Sequence, residues 1–400
     1  MKRKVATMNK ISPKGIQEFG EMYHITENVE EAQAWLIRSK DLHNLEFPKE
    51  LRAIARAGAG TNNIPLEVCA EKGIVVFNTP GANSNAVSEL VMAMIILSTR
   101  DIWSSIDWVK KNQEDDNISK NAEEAKKSFV GGEIRGKTLG VIGLGAIGYK
   151  VANSAIGLGM NVLAYDPKMK LEVALRLTRK VETTESIDEI FAKSDYISVH
   201  VPLNKFTKKL IGEKEINKMK DGVILLNFAR DEIFDEEVVG KALESGKVAK
   251  YVVDFPNNLN TKFKNTIITS HIGGSTNESE ENCARDAAIE VKRYLETGNI
   301  VNSVNYPDVS LGELEHDTRI IVLHRNKPNV ITNIASMLGE GGYNIQKMAS
   351  DSKGDYAAAL IDVTEHVERE FMMKLMESPN ILRVRVLHGQ EGEDEITNGF

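Results

Sequence analysis

Along the first third of the chain, short apolar runs alternate with polar segments. Residues 5–8, 34–37, 51–55 and 74–77 read as strands, each closed by a turn or a charge. Strands interleaved with helical stretches predict a parallel sheet covered on both faces. Residues 85–99 are apolar nearly all round, the pattern of a buried helix or a subunit interface. Residues 110–127 are polar and charged and read as a solvated helix or loop. A second α/β unit begins at Lys137, with strands expected at 138–142, 162–165, 196–199, 223–226, 251–254 and 267–269. Residues 275–296 read as one long helix, with Gly298 placed where a C-cap glycine belongs. Residues 299–315 have the Pro- and Gly-punctuated character of a linker. The last unit reads strand, helix, strand, strand, helix, strand, with strands at 319–323, 342–349, 357–363 and 382–386, the split βαβ pattern of a ferredoxin-like module. Residues 389–400 are acidic and are expected to fray.

A chain of 400 residues exceeds one ordinary core and suits two or three domains. Its net charge of −8 disfavours nucleic acid, which needs clustered Lys and Arg, but leaves room for a local basic pocket. Cys69 and Cys283 are the two cysteines, far apart in sequence and without ligand partners nearby. That usage excludes a disulfide framework and a Cys-rich metal site, and no metal is expected. The basic start Met1-Lys2-Arg3-Lys4 is not followed by an apolar stretch of signal-peptide length, and Leu90 to Leu97 is too short to cross a bilayer. A soluble cytoplasmic protein, without membrane partners, is the expectation.

The strongest chemical signal is Gly143-Leu144-Gly145-Ala146-Ile147-Gly148, directly after the predicted strand 138–142. Glycines there allow a tight turn, close approach of backbone to a pyrophosphate, and helix-on-sheet packing. The next strand ends at Asp166, where an acid can hold adenosine ribose hydroxyls. A carboxylate at that place repels a 2′-phosphate, so NAD is expected rather than NADP. Arg230 and His271 fall at the ends of later strands, the edge where such sheets bind ligands. Hydride transfer at a carbinol carbon needs a base near the hydroxyl, which a histidine supplies near neutral pH. An arginine can grip a carboxylate in bidentate fashion.

Residues 34 to 300 resemble the D-isomer-specific 2-hydroxyacid dehydrogenases, most closely those acting on 3-phosphoglycerate. The likeness rests on Arg56-Ala57-Gly58-Ala59-Gly60, Asn78-Thr79-Pro80-Gly81-Ala82-Asn83-Ser84, Gly136-Lys137-Thr138-Leu139-Gly140, the glycine turn, His200-Val201-Pro202-Leu203, Asn227-Phe228-Ala229-Arg230 and the His271 segment. The resemblance implies a flavodoxin-like substrate-binding domain from residues 1–90 and 272–305, with an inserted Rossmann domain at 91–271. A linker at 306–316, a ferredoxin-like domain at 317–390 and an acidic tail at 391–400 complete the expected organisation. It also implies that His271 is the acid/base, that Arg230 orients the substrate, and that Gly58, Ala59 and Gly60 offer backbone amides to its carboxylate. Arg38 and Arg56 match residues offered to a phosphate, with a surface salt bridge as the alternative reading. Gly143, Gly145, Ala146, Ile147, Gly148, Asp166, Val201, Pro202, Phe228, Ala229, Asp254, Gly273 and Gly274 match cofactor-binding positions, Asp254 at the nicotinamide carboxamide.

The chain departs from the family pattern in three places. The loop after Asp254 usually carries a glutamate for the catalytic histidine, but Asp254-Phe255-Pro256-Asn257-Asn258-Leu259-Asn260 holds no further acid. Asn258 is the candidate replacement, able to orient the imidazole but not to raise its basicity. Asp231-Glu232 stands where Gly-Gly is usual, and Asn62-Asn63 where Asp-Asn is common. The C-terminal module resembles an ACT domain, an amino-acid-sensing unit, with His324, Asn326 and Asn344 on the positions that bind L-serine in regulated members. Asn329 replaces a usual glycine there, which asparagine tolerates if φ is positive. The resemblance implies NAD-dependent oxidation of D-3-phosphoglycerate, L-serine as effector, and a homodimer or homotetramer. The alternatives are a hydroxypyruvate or glyoxylate reductase, and a non-catalytic NAD-sensing binding protein.

Overall fold

The computed structural model describes residues 2–314, 318–389 and 392–397, the last stretch as backbone only. The chain forms two compact units, one of residues 1–83 with 277–400 and the other of residues 84–276. The expected division at 90/91 would cut the helix Ser84–Thr99 in two. That helix belongs whole to the second unit, because Val87, Val91 and Ile95 pack with Leu139, Val141 and Val151 in one core.

The first unit opens on a five-stranded sheet of β1 (Arg3–Thr7), β2 (Tyr23–Thr26), β3 (Ala34–Ile37), β4 (Ala53–Arg56) and β5 (Val75–Asn78). All neighbours are parallel and the order is β2-β1-β3-β4-β5. This is the flavodoxin-like order, whose ligand edge lies at the strands' carboxyl ends. The β3 and β4 runs are buried on both faces, as a helix-covered parallel sheet requires.

The second unit carries β6 (Thr138–Ile142), β7 (Asn161–Tyr165), β8 (Glu182–Thr183), β9 (Tyr196–Val199), β10 (Val223–Asn227), β11 (Val248–Val253) and β12 (Thr266–Ile268). Their order is β12-β11-β10-β9-β6-β7-β8, parallel throughout. Strand order reverses beside β6, the Rossmann switch point, and the glycine turn leaves β6 there. The polar stretch after residue 100 forms the helices Ile102–Lys111 and Ile118–Ala125.

Asn277–Thr297 returns the chain to the first unit as a 21-residue helix. The segment expected to be a linker is instead built into the core. Val304 N donates to Val76 O, and the buried Asn305 accepts from Val76 N and donates to Ile74 O. The Tyr306 hydroxyl donates to Ala70 O at 2.6 Å, and Tyr306 is fully buried. Buried side-chain amides and hydroxyls satisfying the backbone of β5 and of the residues just before it make this a wall of the fold. Residues 315 and 316 of the expected linker lie outside the described residues.

The C-terminal module comprises β13 (Thr318–Arg325), β14 (Ile345–Lys353), β15 (Tyr356–Val363), β16 (Ile381–His388) and β17 (Gly392–Thr397). The antiparallel order β14-β15-β13-β16-β17 contains the ferredoxin-like arrangement with one strand added. The added strand corrects the expectation of a frayed tail: residues 392–397 pair antiparallel with β16. An open β16 edge has a row of backbone donors and acceptors to satisfy, and acidic side chains do not prevent that pairing. The ends of the tail, residues 391 and 398–400, lie outside the described residues.

One face of this module shares a core with the first unit: Ile321, Leu323, Ala358 and Leu360 pack with Phe77, Tyr294, Leu295 and Ile300. Three buried arginines of the module reach carbonyls of the unit. Arg319 pairs with Asp362 and donates to Thr297 O and Gly312 O. Arg383 donates to Leu51 O, and Arg385 lies over the Tyr294 ring. Among the described residues no helix is long and apolar enough to cross a membrane.

Candidate active site

In the second unit, Gly143 adopts φ 93° as the chain leaves β6. A Cβ there would come within 2.9 Å of His200 O and of the Val201 side chain. A Cβ on Gly148 would sit 1.9 Å from Gly143 O, so the helix Gly148–Gly157 can start this close only with glycine. At Gly145 a Cβ would meet nothing within 4 Å. That open, exposed backbone before a helix N-terminus is a cradle for phosphate oxygens. Ala146 is exposed and Ile147 half-buried beside it. Asp166 accepts from Leu144 N and from Lys168 N, both at 2.8 Å, which ties its carboxylate to the glycine turn. His200 bonds Ser198 Oγ through Nε2 at 2.8 Å, while its Nδ1 is sealed from solvent without a partner. Burial pulls its pKa down to about 4, so it is a neutral part of the wall beneath Val201 and Pro202.

The next strands of this unit present the residues suited to acid/base work. Phe228 and Ala229 are buried after β10, and the turn is fixed by Asn227, which donates to Arg230 O at 2.9 Å and accepts from Ala229 N at 3.3 Å. Arg230 has extended backbone and is exposed, and its Nη1 donates to Ala229 O at 2.7 Å. His271 is also exposed and adopts φ 59°, unusual for a residue with a Cβ. Asp254, 2% exposed, holds the loop around it by accepting from Thr269 Oγ1 at 2.6 Å, Ile272 N at 2.9 Å and Gly273 N at 2.8 Å. A Cβ on Gly273 would stand 2.9 Å from the Asp254 carboxylate, so glycine permits this approach, with Gly274 half-buried after it.

Asn258 does not fill the role expected of it. It is exposed and forms no hydrogen bond to the imidazole; the Phe255 ring packs edge-on against His271 at 4.9 Å instead. The asparagines that bond are Asn257 and Asn260, and both turn inward to Glu236. The loop asparagines Asn257, Asn258 and Asn260 look alike in sequence, and the direction of Asn257 and Asn260 is set by where Glu236 lies.

In the first unit, the loop after β4 is pinned from β5. Gly58 N donates to Thr79 Oγ1 at 2.9 Å, and Asn78 Nδ2 donates to Ala59 O at 2.6 Å. Arg56 folds back over this loop: a Cβ on Gly58, at φ 147°, would lie 2.6 Å from its Nη1. Arg38 follows β3 and pairs with Glu280 at 2.8 Å, both partly exposed. An exposed pair of this kind contributes about 0.2–1 kcal/mol. Asn78, Thr79, Asp254 and Phe255 were not singled out from sequence for these tasks; the family motifs contain them without revealing whom they hold.

Residues 92–273 match the family described as "D-isomer specific 2-hydroxyacid dehydrogenase, NAD binding domain". The D-3-phosphoglycerate dehydrogenase of Haemophilus influenzae is 32% identical over 86% of this chain and 83% of its own length. The chain belongs to the D-isomer-specific 2-hydroxyacid dehydrogenases. Its cofactor is NAD, for which the glycine turn, the open Gly145 backbone and Asp166 are the matching features. The NAD-bound 3-phosphoglycerate dehydrogenase of Entamoeba histolytica superposes on this dehydrogenase with a TM-score of 0.59 at 27% identity, over 76% of this chain and 99% of that one. A glyoxylate reductase from Paecilomyes thermophila gives a TM-score of 0.62 at 25% identity, over 76% of this chain and 98% of that one.

Proposed function

We propose that this dehydrogenase oxidises D-3-phosphoglycerate to 3-phosphohydroxypyruvate, the opening reaction of L-serine synthesis, in the cytoplasm. The observation that carries the reading is the likeness to phosphoglycerate dehydrogenases over most of both chains, joined to arginines at the two strand ends Arg38 and Arg56. NAD, when bound, would supply the acceptor for the hydride that leaves the carbinol carbon. His271 takes the hydroxyl proton, and its turn, braced by Asp254, keeps the imidazole in place without a carboxylate partner. Arg230 grips the carboxylate and polarises the carbonyl as it forms. Ala59 and Gly60 donate backbone N–H groups to the carboxylate. Arg56 and Arg38 take the phosphate; a charge-assisted contact worth about 1.5–3 kcal/mol outweighs the exposed Arg38–Glu280 pair. Appearance of NADH from D-3-phosphoglycerate, with a trap for the oxo product, tests the reading.

A second reading, reduction of hydroxypyruvate or glyoxylate, is favoured by one observation: Arg38 already has Glu280 as a partner. Comparable efficiency on unphosphorylated acids decides for it.

The C-terminal module is proposed to bind L-serine as an inhibitor. His324 is buried, with Nδ1 on Arg325 O at 2.9 Å and Nε2 without a partner, and burial lowers its pKa. Asn326 donates to Gly354 O at 3.0 Å, and Asn344 N to Glu365 at 3.1 Å, leaving the Asn344 amide to an effector. Asn329 takes φ 66° before the helix Val330–Glu340, the left-handed turn that shapes this corner. With β17 covering β16, β14 is the sheet edge through which two copies pair in a homodimer or homotetramer.

A further inference from the structure

The loop of residues 255–260 holds no acid of its own, and two of its asparagines turn to a carboxylate on a neighbouring helix. Glu236 begins the helix Glu236–Glu244 and is half-buried. Its Oε2 accepts from Asn257 Nδ2 at 2.6 Å and its Oε1 from Asn260 Nδ2 at 2.9 Å. Asn260, fully buried, also donates to Phe255 O at 2.9 Å, and Phe255 is the residue whose ring abuts His271. Asn257 closes the loop on itself by accepting from Leu259 N and Asn260 N, both at 2.9 Å. The Asn257 amide that Glu236 holds also donates to Asp231 Oδ1 at 3.2 Å, next to Arg230. Tyr251 accepts from Asn227 Nδ2 at 3.4 Å, and the same amide holds Arg230 O. One carboxylate is therefore connected to the turn bearing Arg230 and to the loop bearing Phe255.

We propose that Glu236 is a positioning residue that keeps the Arg230 turn and the Phe255 brace of His271 in register for hydride transfer. The inference rests on the oxidation of a 2-hydroxyacid proposed above. Both carboxylate oxygens accept from amide donors, so an isosteric glutamine sets its NH2 against an asparagine NH2 and breaks one link. Burial raises the Glu236 pKa against the pull of the two asparagines, so this acid is kept in a setting that costs it solvation. Misplacement of reacting groups by about 1 Å can cost 10²-fold in rate.

The test compares the wild-type chain, Glu236→Gln, and Glu236→Gln combined with Asn257→Asp, which returns an acceptor opposite the new amide. Each is assayed with D-3-phosphoglycerate and NAD, beside NADH binding by fluorescence and thermal melting. Glu236→Gln should lower kcat/KM by about 10- to 100-fold, with kcat falling and substrate KM rising while NADH affinity holds. The double variant should regain part of the loss, the remainder reflecting a carboxylate newly set near Asp231, which lies 3.2 Å from the Asn257 amide. Wild-type kcat/KM in Glu236→Gln overturns the proposal. So does loss of NADH affinity in step with activity in both variants, or a double variant no better than the single one. If the wild-type chain oxidises a different 2-hydroxyacid, the substrate assignment fails by itself and the same three proteins are compared on that acid.

Discussion

Replacing Asp254 with asparagine tests whether the loop around His271 is held in place or merely passes through it. A non-glycine residue at φ 59° costs roughly 1–2 kcal/mol to maintain. The Asp254 carboxylate opposes that cost with three short bonds, from Thr269 Oγ1, Ile272 N and Gly273 N. Bonds to a charged acceptor are worth about 1.5–3 kcal/mol each, so the wild-type loop has a comfortable margin. The asparagine keeps one oxygen and two neutral bonds of about 0.5–1.5 kcal/mol each, and turns an NH2 toward the buried Gly273 N–H. An unsatisfied buried donor costs about 1–3 kcal/mol, which removes most of what the two bonds supply. The margin over the strain at His271 then vanishes, and the imidazole should sample several positions. Steady-state NADH formation should show kcat reduced about 10- to 100-fold. Hydrogen exchange of the NAD-free variant should show faster exchange at residues 271–274 than in wild type, with β9 and β10 unchanged. A variant with wild-type kcat and unchanged exchange in that loop would refute the reasoning.

Other outcomes follow from the same geometry. Asp166 beside a 2′-phosphate at about 4 Å is repelled by roughly 4 kcal/mol at an effective dielectric of 20, so NAD should outperform NADP strongly and Asp166→Ala should narrow the gap; equal efficiency in the wild type defeats this. His271→Ala should lower turnover about 100-fold or more, the scale of a lost general acid/base, and Arg230→Ala should damage turnover and substrate KM together; near-normal rates in either variant remove that residue's role. Asn344→Ala should abolish L-serine binding in calorimetry and serine inhibition alike while leaving basal activity; a wild-type chain that binds no serine at millimolar concentration reduces the module to an assembly element.

Much of the fold was legible because parallel strands buried on both faces are continuous apolar runs, and the glycine turn marks its own switch point. What escaped depended on partners far away in sequence. Tyr306 and Asn305 read as linker residues because their acceptors and donors lie on Ala70, Ile74 and Val76. Arg319, Arg383 and Arg385 look like solvated positions on alternating strands, yet all three are fully buried against carbonyls or an aromatic ring. The 392–397 strand was hidden by acidic composition, since its pairing uses backbone that side-chain patterns do not report. At the site, His271 and Arg230 stood out by chemistry and strand-end placement. Phe255 did not, because a phenylalanine after a strand is ordinarily core; its contact with His271 follows from a loop shape set by Asn257, Asn260 and Glu236.

The most direct test of the central claim is the ratio of kcat/KM for D-3-phosphoglycerate to that for D-glycerate, measured with NAD on the wild-type chain and on Arg38→Ala and Arg56→Ala. With each charge-assisted phosphate contact worth about 1.5–3 kcal/mol, the ratio should be large in the wild type and fall at least tenfold in each variant. A wild-type ratio near one, or equal losses on both substrates in the variants, would contradict the assignment of a phosphorylated substrate.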